Sequence, residues 1–382
     1  MSYALTEEQL QVRDLVRRVA RERVAARAAA IDASGDYPQD MFDLLRELGL
    51  FTLPFPAEYG GSESTLAGCL AVEELGRVCY NTGYLLVVQW VPLGAILAGG
   101  TPEQKARLLP GLASGALRGA FSLTEPQSGS DVAGIRTRAR EDGDGFVLNG
   151  GKIWCTNAAV ADFVLLGARL ERGGGGEVNF FIVERDRPGF RIGCKEEKMG
   201  ARGVPSSALF LDDVRLPREN LLGDGAGGFR SVMEALNKSR PIVAARAVGL
   251  AQGAMDHAIA FARDRRAFGQ SVVNYQGIRW MIADMAIQIE AARQLTYAAA
   301  AAVDAGRTGP EMANLAASAK CFASDVAMKV ATDAVQIFGA SGISNEFPIN
   351  RYFRDAKVVQ IVEGTNQIQR NIVARNLIGK EE

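Results

Sequence analysis

The chain has 382 residues, 48% of them hydrophobic and 23% charged, and its 43 basic and 44 acidic residues leave a net charge of −1. That length suggests two or three domains, and without a basic excess the chain is not expected to bind nucleic acid or an anionic membrane surface. Its five cysteines (Cys69, Cys79, Cys155, Cys194, Cys321) are scattered without CxxC spacing, which argues against a metal site or a disulfide framework and fits a reducing compartment.

Met1 to Glu8 carry neither an apolar leader core nor an Arg-rich, acid-free leader, and no run is expected to approach a membrane span, so a cytoplasmic location is expected. Residues 1–118 read as a helical domain. Thr6 with Gln9 predicts a capping box ahead of Leu10, Val12, Leu15, Val16 and Val19, which recur at helical spacing. A second helix is predicted near Met41–Leu48, stopping at Gly49, and Pro54, Pro56, Gly60 and Gly61 mark a loop. Thr101-Pro102-Glu103-Gln104 has the N-cap threonine, N1 proline and N3 glutamine of a helix start.

Residues 119–230 read as a β domain. Asn149-Gly150 predicts a hairpin turn joining Phe146-Val147-Leu148 to Lys152-Ile153-Trp154. Phe163–Leu166, Val178–Val183 and Ala208–Leu211 are further strand candidates, with Gly173-Gly174-Gly175-Gly176 a loop between two of them. A small, mostly antiparallel barrel or sandwich is expected. Residues 231–382 return to a helical pattern, with candidates over about 231–265, 275–304, 311–338 and 364–378, enough for a four-helix bundle. The expected fold is therefore α+β and multidomain: helical, then antiparallel β-barrel, then helical bundle.

The chemistry is sparse. The chain has one histidine, His257, so proton transfer falls to carboxylates. Ile361-Val362-Glu363-Gly364 sets a carboxylate among apolar neighbours, which raises its pKa, and a glycine beside it lets backbone approach a ligand. Phe121 to Asp131, through Ser122-Leu123-Thr124 and Ser128-Gly129-Ser130, can present hydroxyls and backbone N–H groups, although such residues also make ordinary turns. Alternation places Trp154 and Thr156 on one face of their strand, suited to a planar ligand or to a core. Arg265 closes a predicted helix and suits a phosphate or a helix C-terminus. Asn237 and Arg240 share a helical face just before Pro241, where a kink or helix start is expected, and Gln336-Ile337-Phe338-Gly339-Ala340 reads as a helix end.

Taken in order, LTEPQSGSD (123–131), WCTN (154–157), RPIVAARAVGLAQ (240–252), DRRAFGQ (264–270), ATDAVQIFGASG (331–342) and RDAKVVQIVEGTNQIQR (354–370) resemble the acyl-CoA dehydrogenase flavoproteins over essentially the whole chain. The resemblance implies bound FAD and a homotetramer. It implies that Phe121, Leu123, Thr124, Gly129 and Ser130, with Trp154, Cys155 and Thr156, hold the flavin ring and ribityl region. Arg265, Phe268 and Gln276 from a neighbouring subunit, with Gln336, Ile337, Gly339 and Ala340, would bind the diphosphate and adenine side. Thr365, Asn366 and Gln367 would also face the cofactor. Ser130, Asn237, Arg240 and Gly364 would contact the thioester substrate and its tail, and Glu363 falls on the catalytic base.

The implied reaction is α,β-desaturation of an acyl-CoA to the trans-2-enoyl thioester, with electrons passed on to an electron-transfer flavoprotein. Other readings the resemblance leaves open are desaturation of an acyl group tethered to a carrier protein, a non-catalytic flavin-binding subunit, or elimination of a β-substituent. Ser239 stands where some members carry the base. Three departures from the family pattern stand out. Val362 replaces a frequent tyrosine and would leave room for α-branched or cyclic acyl groups, Asn237 replaces a common aspartate, and Ser341 and Ile343 follow the Gly339 turn. Gln89, Trp90, Val91 and Leu93 are expected near the pocket floor.

Overall fold

The chain opens in helices because Thr6 closes its predicted capping box: its Oγ1 accepts from the Gln9 N–H at 3.2 Å, and its own N–H donates to Gln9 Oε1 at 3.0 Å. The structure, a computed structural model, describes residues 4–172, 175–223 and 228–379, so Met1–Tyr3 and the first two glycines of the predicted Gly173–Gly176 loop lie outside the described residues. Helices α1 (Glu7–Val19), α2 (Ala28–Ser34), α3 (Gln39–Glu47), α4 (Thr65–Val78), α5 (Tyr80–Gly99) and α6 (Pro102–Ser114) come first. Gly49, at φ 68°, turns the chain out of α3, and the Thr101–Gln104 capping box starts α6.

Periodicity does not reveal α5, because Tyr80 through Leu93 are all buried and no polar stripe marks a solvent face. At 20 residues α5 is long and apolar enough to cross a membrane, which corrects the expectation that no run approaches that length. Most of it is enclosed by protein, as in a core helix. Gln89, Trp90, Val91 and Leu93 all belong to its buried surface.

Seven strands follow: β1 (Gly119–Ser122), β2 (Arg138–Asp142), β3 (Gly145–Thr156), β4 (Phe163–Arg172), β5 (Gly175–Glu184), β6 (Phe190–Lys195) and β7 (Ser206–Pro217). They form one sheet in the order β1-β4-β2-β3-β7-β6, with β5 also paired to β4. Pairing is antiparallel except that β1 and β2 both run parallel to β4, along successive halves of it. The predicted hairpin at Asn149-Gly150 is overturned, since β3 runs straight through it. The tight turn is Gly143-Asp144, with Asp142 opposite Gly145 and Gly143 at φ 61°. Asn149-Gly150 instead makes an irregularity in the β3–β7 register, anchored by Asn149 Nδ2 donating to Asp213 at 2.9 Å. Phe146, Leu148, Val164, Leu166, Phe181, Val183, Leu209 and Leu211 fill the interior of this β-rich domain.

The last part is helical: α7 (Gly228–Asp264), a short hairpin of β8 (Arg266–Ala267) and β9 (Gln270–Ser271), then α8 (Gln276–Asp304), α9 (Gly309–Phe338), α10 (Ala340–Ile343), α11 (Ile349–Ile361) and α12 (Asn366–Ile378). Pro241 neither starts nor ends α7; the helix continues through it. Packing on both sides of Pro241 offsets the single hydrogen bond that proline removes. Near-contact between α4 and α7 requires Gly249, where a Cβ would stand 2.1 Å from the Glu73 carbonyl oxygen. The two helical parts share one continuous core, from Val16 through Leu75 and Leu86 to Val248, Val330 and Val359. That shared core sets α5, α7, α9 and the α11–α12 junction side by side.

Candidate active site

Glu363 sits in the junction between α11 and α12. Val362 closes α11 in extended conformation, Glu363 takes the left-handed region at φ 58°, Gly364 follows at φ 84°, and Thr365 caps α12 by accepting from the Ile368 N–H at 3.3 Å. A glutamate in the left-handed region costs roughly 1–2 kcal/mol, so its surroundings must hold it there. They do so through main-chain oxygens. Lys320 Nζ of α9 donates to the Gly364 carbonyl at 2.8 Å, and Gln369 Nε2 donates to the Glu363 and Gly364 carbonyls at 3.2 and 3.0 Å. Lys320 also donates to Asn366 Oδ1 at 2.9 Å, and Asn366 Nδ2 donates to Asp325 at 2.7 Å.

Burial raises the Glu363 carboxyl above its ordinary range, and Arg246, Lys320 and Arg240 pull it partly back. The apolar sleeve expected from Ile361 is not the cause, because Ile361 is 55% exposed. Desolvation comes instead from the helices packed around the junction. Arg240 Nη1 donates to Asn237 Oδ1, uniting the predicted pair on one face of α7, and burial lowers the guanidinium to about 10. Ser239 Oγ donates to the Leu236 carbonyl at 3.0 Å.

A second group of predicted residues lies on the β domain. Glu125 fastens the 123–131 segment: it accepts from the Arg136 and Thr137 N–H groups at 2.6 and 2.9 Å and from Lys152 Nζ at 2.7 Å. This leaves Gly129 and Ser130 exposed and Phe121, Leu123 and Thr124 half-buried. Trp154 is 52% exposed at φ 58°, where the β3–β7 register slips between Lys152 and Cys155. That slip interrupts the simple alternation expected of Trp154 and Thr156. Thr156 pairs with Ser206 Oγ at 3.3 Å. Hydroxyls, exposed backbone and an open indole form a ledge whose donors and acceptors fit the edge of a flavin ring.

Three of the predicted cofactor side chains turn inward: Cys155, which donates to the Phe121 carbonyl at 3.7 Å, Ile337, in the core, and Asn366, spent on Lys320, Ser324 and Asp325. Only their backbone is left for a ligand. Phe268, at φ 49° and 97% exposed, tips the β8–β9 hairpin with exposed Arg265 and Gln276 beside it. Gln336, Gly339, Ala340 and Gln367 are also exposed, and Thr365 is half-buried. An exposed phenylalanine fits a residue meant for a partner surface. His257 packs on Tyr352 at 5.4 Å in a separate cleft of about 970 Å³, which none of the candidate site residues lines. Among the described residues no cluster suits a metal. Sequence reading missed Lys320, Asp325, Glu125 and Lys152; a lysine within the alanine-rich Ala316–Ser324 run was the one available signal.

The Lys152–Glu125 pair is buried at both ends, with side chains 0% and 3% exposed. Burial pushes the Glu125 carboxyl up, but Lys152, Thr137 and the Arg136 N–H outweigh it and hold the group at about 2. With a folded pKa below the ordinary 4.5, the group contributes stability that is present above 4.5 and lost as pH falls toward 2. Lys152→Met strands the carboxylate and should cost about 3–5 kcal/mol in urea unfolding at neutral pH, with a smaller acid-side loss than wild type. A change below about 1 kcal/mol would remove this pair as the anchor of the 123–131 segment.

Three family models match in succession: the N-terminal domain of acyl-CoA dehydrogenases over residues 6–116, the middle domain over 120–214 and the C-terminal domain over 226–378. Cyclohexane-1-carbonyl-CoA dehydrogenase of Geobacter metallireducens is 42% identical over 375 residues, covering 98% of each chain. The enzyme of the same name from Syntrophus aciditrophicus is 41% identical over 97% of each. The structure of butyryl-CoA dehydrogenase from Megasphaera elsdenii is similar at a TM-score of 0.94 and 37% identity, over 99% of this chain and 100% of that one.

Proposed function

The chain belongs to the acyl-CoA dehydrogenase family of FAD enzymes, and on that premise we propose that it desaturates an acyl-CoA between the α and β carbons, giving the trans-2-enoyl thioester. The observation that carries this reading is Glu363: a desolvated carboxylate, held in a strained turn by main-chain bonds that leave its side chain free to accept a proton. The α-proton of a thioester is weakly acidic, so a base raised toward neutral pH abstracts it best. The Glu363 N–H, past the last turn of α11, would polarise the thioester carbonyl as negative charge develops there. Ser130, Asn237, Arg240 and Gly364 would contact the thioester substrate and its tail, Arg240 from a buried position on α7. Bound FAD supplies the acceptor for the hydride that leaves the β-carbon. The ledge of Thr124, Gly129, Ser130, Trp154 and Thr156 would hold its ring, and Arg265, Phe268, Gln276 and Gln336–Ala340 its diphosphate and adenine side across a subunit contact in a homotetramer. An electron-transfer flavoprotein would then take up the electrons.

Anaerobic titration of the purified holoenzyme with linear, branched, cyclic and dicarboxylic acyl-CoAs should bleach the flavin with at least one class, and free CoA should compete. A protein that takes up no FAD, or is bleached by none of them, would overturn the reading. Competition by a carrier protein but not by CoA would shift the substrate to a tethered acyl group.

Val362 is half-buried and directly before the base, so a larger side chain there would crowd the α-carbon of a substrate held at Glu363. Relatives that act on a cyclohexane-carbonyl thioester support room for an α-branched acyl group. Val362→Tyr should lower kcat/KM for isobutyryl- or cyclohexanecarbonyl-CoA about 10-fold or more relative to butyryl-CoA, on the scale of overpacking a full pocket. Equal losses on both would sink the idea.

A further inference from the structure

Arg246 lies on α7 and is 0% exposed, yet none of its three guanidinium nitrogens has a hydrogen-bond partner. Its main chain packs on Gly76 of α4, where a Cβ would stand 3.1 Å from the Arg246 carbonyl oxygen. Its guanidinium carbon lies 3.7 Å from the Tyr84 ring centroid and 4.6 Å from that of Tyr80, both on α5. The Tyr80 hydroxyl is buried and unpartnered too. Burial raises both phenols, so they remain protonated donors and neither neutralises the cation.

Two aromatic faces offset part of the desolvation of a guanidinium, roughly 0.5–2 kcal/mol each. The nearest acceptor they offer is the neutral Tyr84 hydroxyl, which leaves the guanidinium nitrogens without a hydrogen bond of good geometry, and a buried cation without a charged partner carries a penalty of several kcal/mol. Something with oxygen acceptors and negative charge must complete this corner. Glu363 does not, because Arg246 acts on it only through space and makes no hydrogen bond to it.

The position of Arg246 identifies what does. It lies six residues beyond Arg240 along α7, roughly 9 Å of helix rise. It is also close enough to Glu363 to be the strongest of the cations acting on that carboxylate. An acyl group with its α-carbon at Glu363 and its chain directed toward Tyr80 and Tyr84 of α5 would bring its far end to Arg246, which those two rings flank. An unfunctionalised alkyl end would bury itself against an unpaired cation, which is unfavourable. A terminal carboxylate would pair with it in a fork and accept from Tyr80 as well.

Resting on the reading of Glu363 as the α-proton base, we infer that the acyl group carries a distal carboxylate, so that the substrate is a short dicarboxylic acid monothioester bound by Arg246 and Tyr80. The test is a kcat/KM series on the holoenzyme with size-matched pairs of CoA thioesters, one member of each ending in methyl and the other in carboxylate, for wild type, Arg246→Met and Arg246→Lys. Wild type should favour the carboxylate member by about 10²–10³-fold, Arg246→Met should lose that preference or reverse it, and Arg246→Lys should keep part of it. FAD content and thermal melting report whether each variant folds; should Arg246→Met not fold, the wild-type preference and Arg246→Lys decide. A wild-type preference for the methyl member would overturn the inference while leaving the dehydrogenase reading intact. So would a pH–rate profile shifted in Arg246→Met with an unchanged preference, which would make Arg246 a charge partner of Glu363 alone. Flavin bleached by neither member would overturn the dehydrogenase reading itself.

Discussion

Glu363→Gln should slow anaerobic flavin reduction by the best acyl-CoA about 10⁴-fold, the upper end of what a positioned general base contributes, while FAD content and helicity stay at wild-type levels. Glutamine keeps the shape and can still accept a hydrogen bond, but it cannot take up the α-proton. The geometry should survive, because Lys320 and Gln369 hold the main-chain oxygens of Glu363 and Gly364 and leave the carboxylate unheld. Stopped-flow reduction with a visible spectrum of the resting enzyme separates lost chemistry from lost cofactor. A loss below 10-fold would take Glu363 out of the proton transfer.

The same substitution should stabilise the fold at pH 7. Burial raises the folded pKa of Glu363 above its unfolded value, more than Arg246, Lys320 and Arg240 together lower it. A carboxyl with a raised folded pKa supports folding below its unfolded pKa, and that support is lost as pH rises through the folded pKa. A neutral amide removes the cost of keeping the anion in place. The melting temperature of Glu363→Gln should therefore exceed that of wild type at pH 7, and the difference should shrink as the pH is lowered toward 4. Stability given up at the reacting group is what a base poised for catalysis requires.

Local signals were legible in the sequence wherever the physics is local. Both capping boxes formed because threonine and glutamine three residues apart satisfy each other without help from the rest of the chain. Glu363, its following glycine and the Asn237–Arg240 pair were visible for the same reason. The reason assigned to Glu363 was wrong in part, since Ile361 points to solvent and the desolvation is tertiary. Two dipeptides, Asp142-Gly143 and Asn149-Gly150, carry equal turn signals; pairing with β7 on both sides of Asn149 decides between them, and no local rule contains that pairing. α5 was hidden by its uniform apolarity. Lys320 and Arg246 went unnoticed, because a sequence does not tell which face of α7 or α9 is enclosed. Their burial depends on α5, α11 and α12 arriving from distant parts of the chain.

Lys320→Met makes the strongest test of that hidden layer. Lys320 is 0% exposed, and burial lowers its ammonium to about 8 against the opposing pull of Glu363. Methionine matches the lysine stem in volume and removes the charge and both hydrogen bonds. The acceptors it leaves are not orphaned: Gln369 still donates to the Gly364 carbonyl at 3.0 Å and Ser324 to Asn366 Oδ1 at 3.0 Å. Stability should therefore fall only about 1–2 kcal/mol, within the range of lost charge-assisted hydrogen bonds. Catalysis should suffer more. With one of its cations gone, Glu363 is raised further, so the acid limb of the kcat profile moves to higher pH and the rate at pH 7 drops about 10- to 100-fold. Raising the pH should restore much of that loss, because more of the carboxylate is then ionised. A rate loss that is the same at every pH would instead assign Lys320 to shaping the Glu363 turn alone, and an unshifted acid limb would refute its charge as part of what tunes the base.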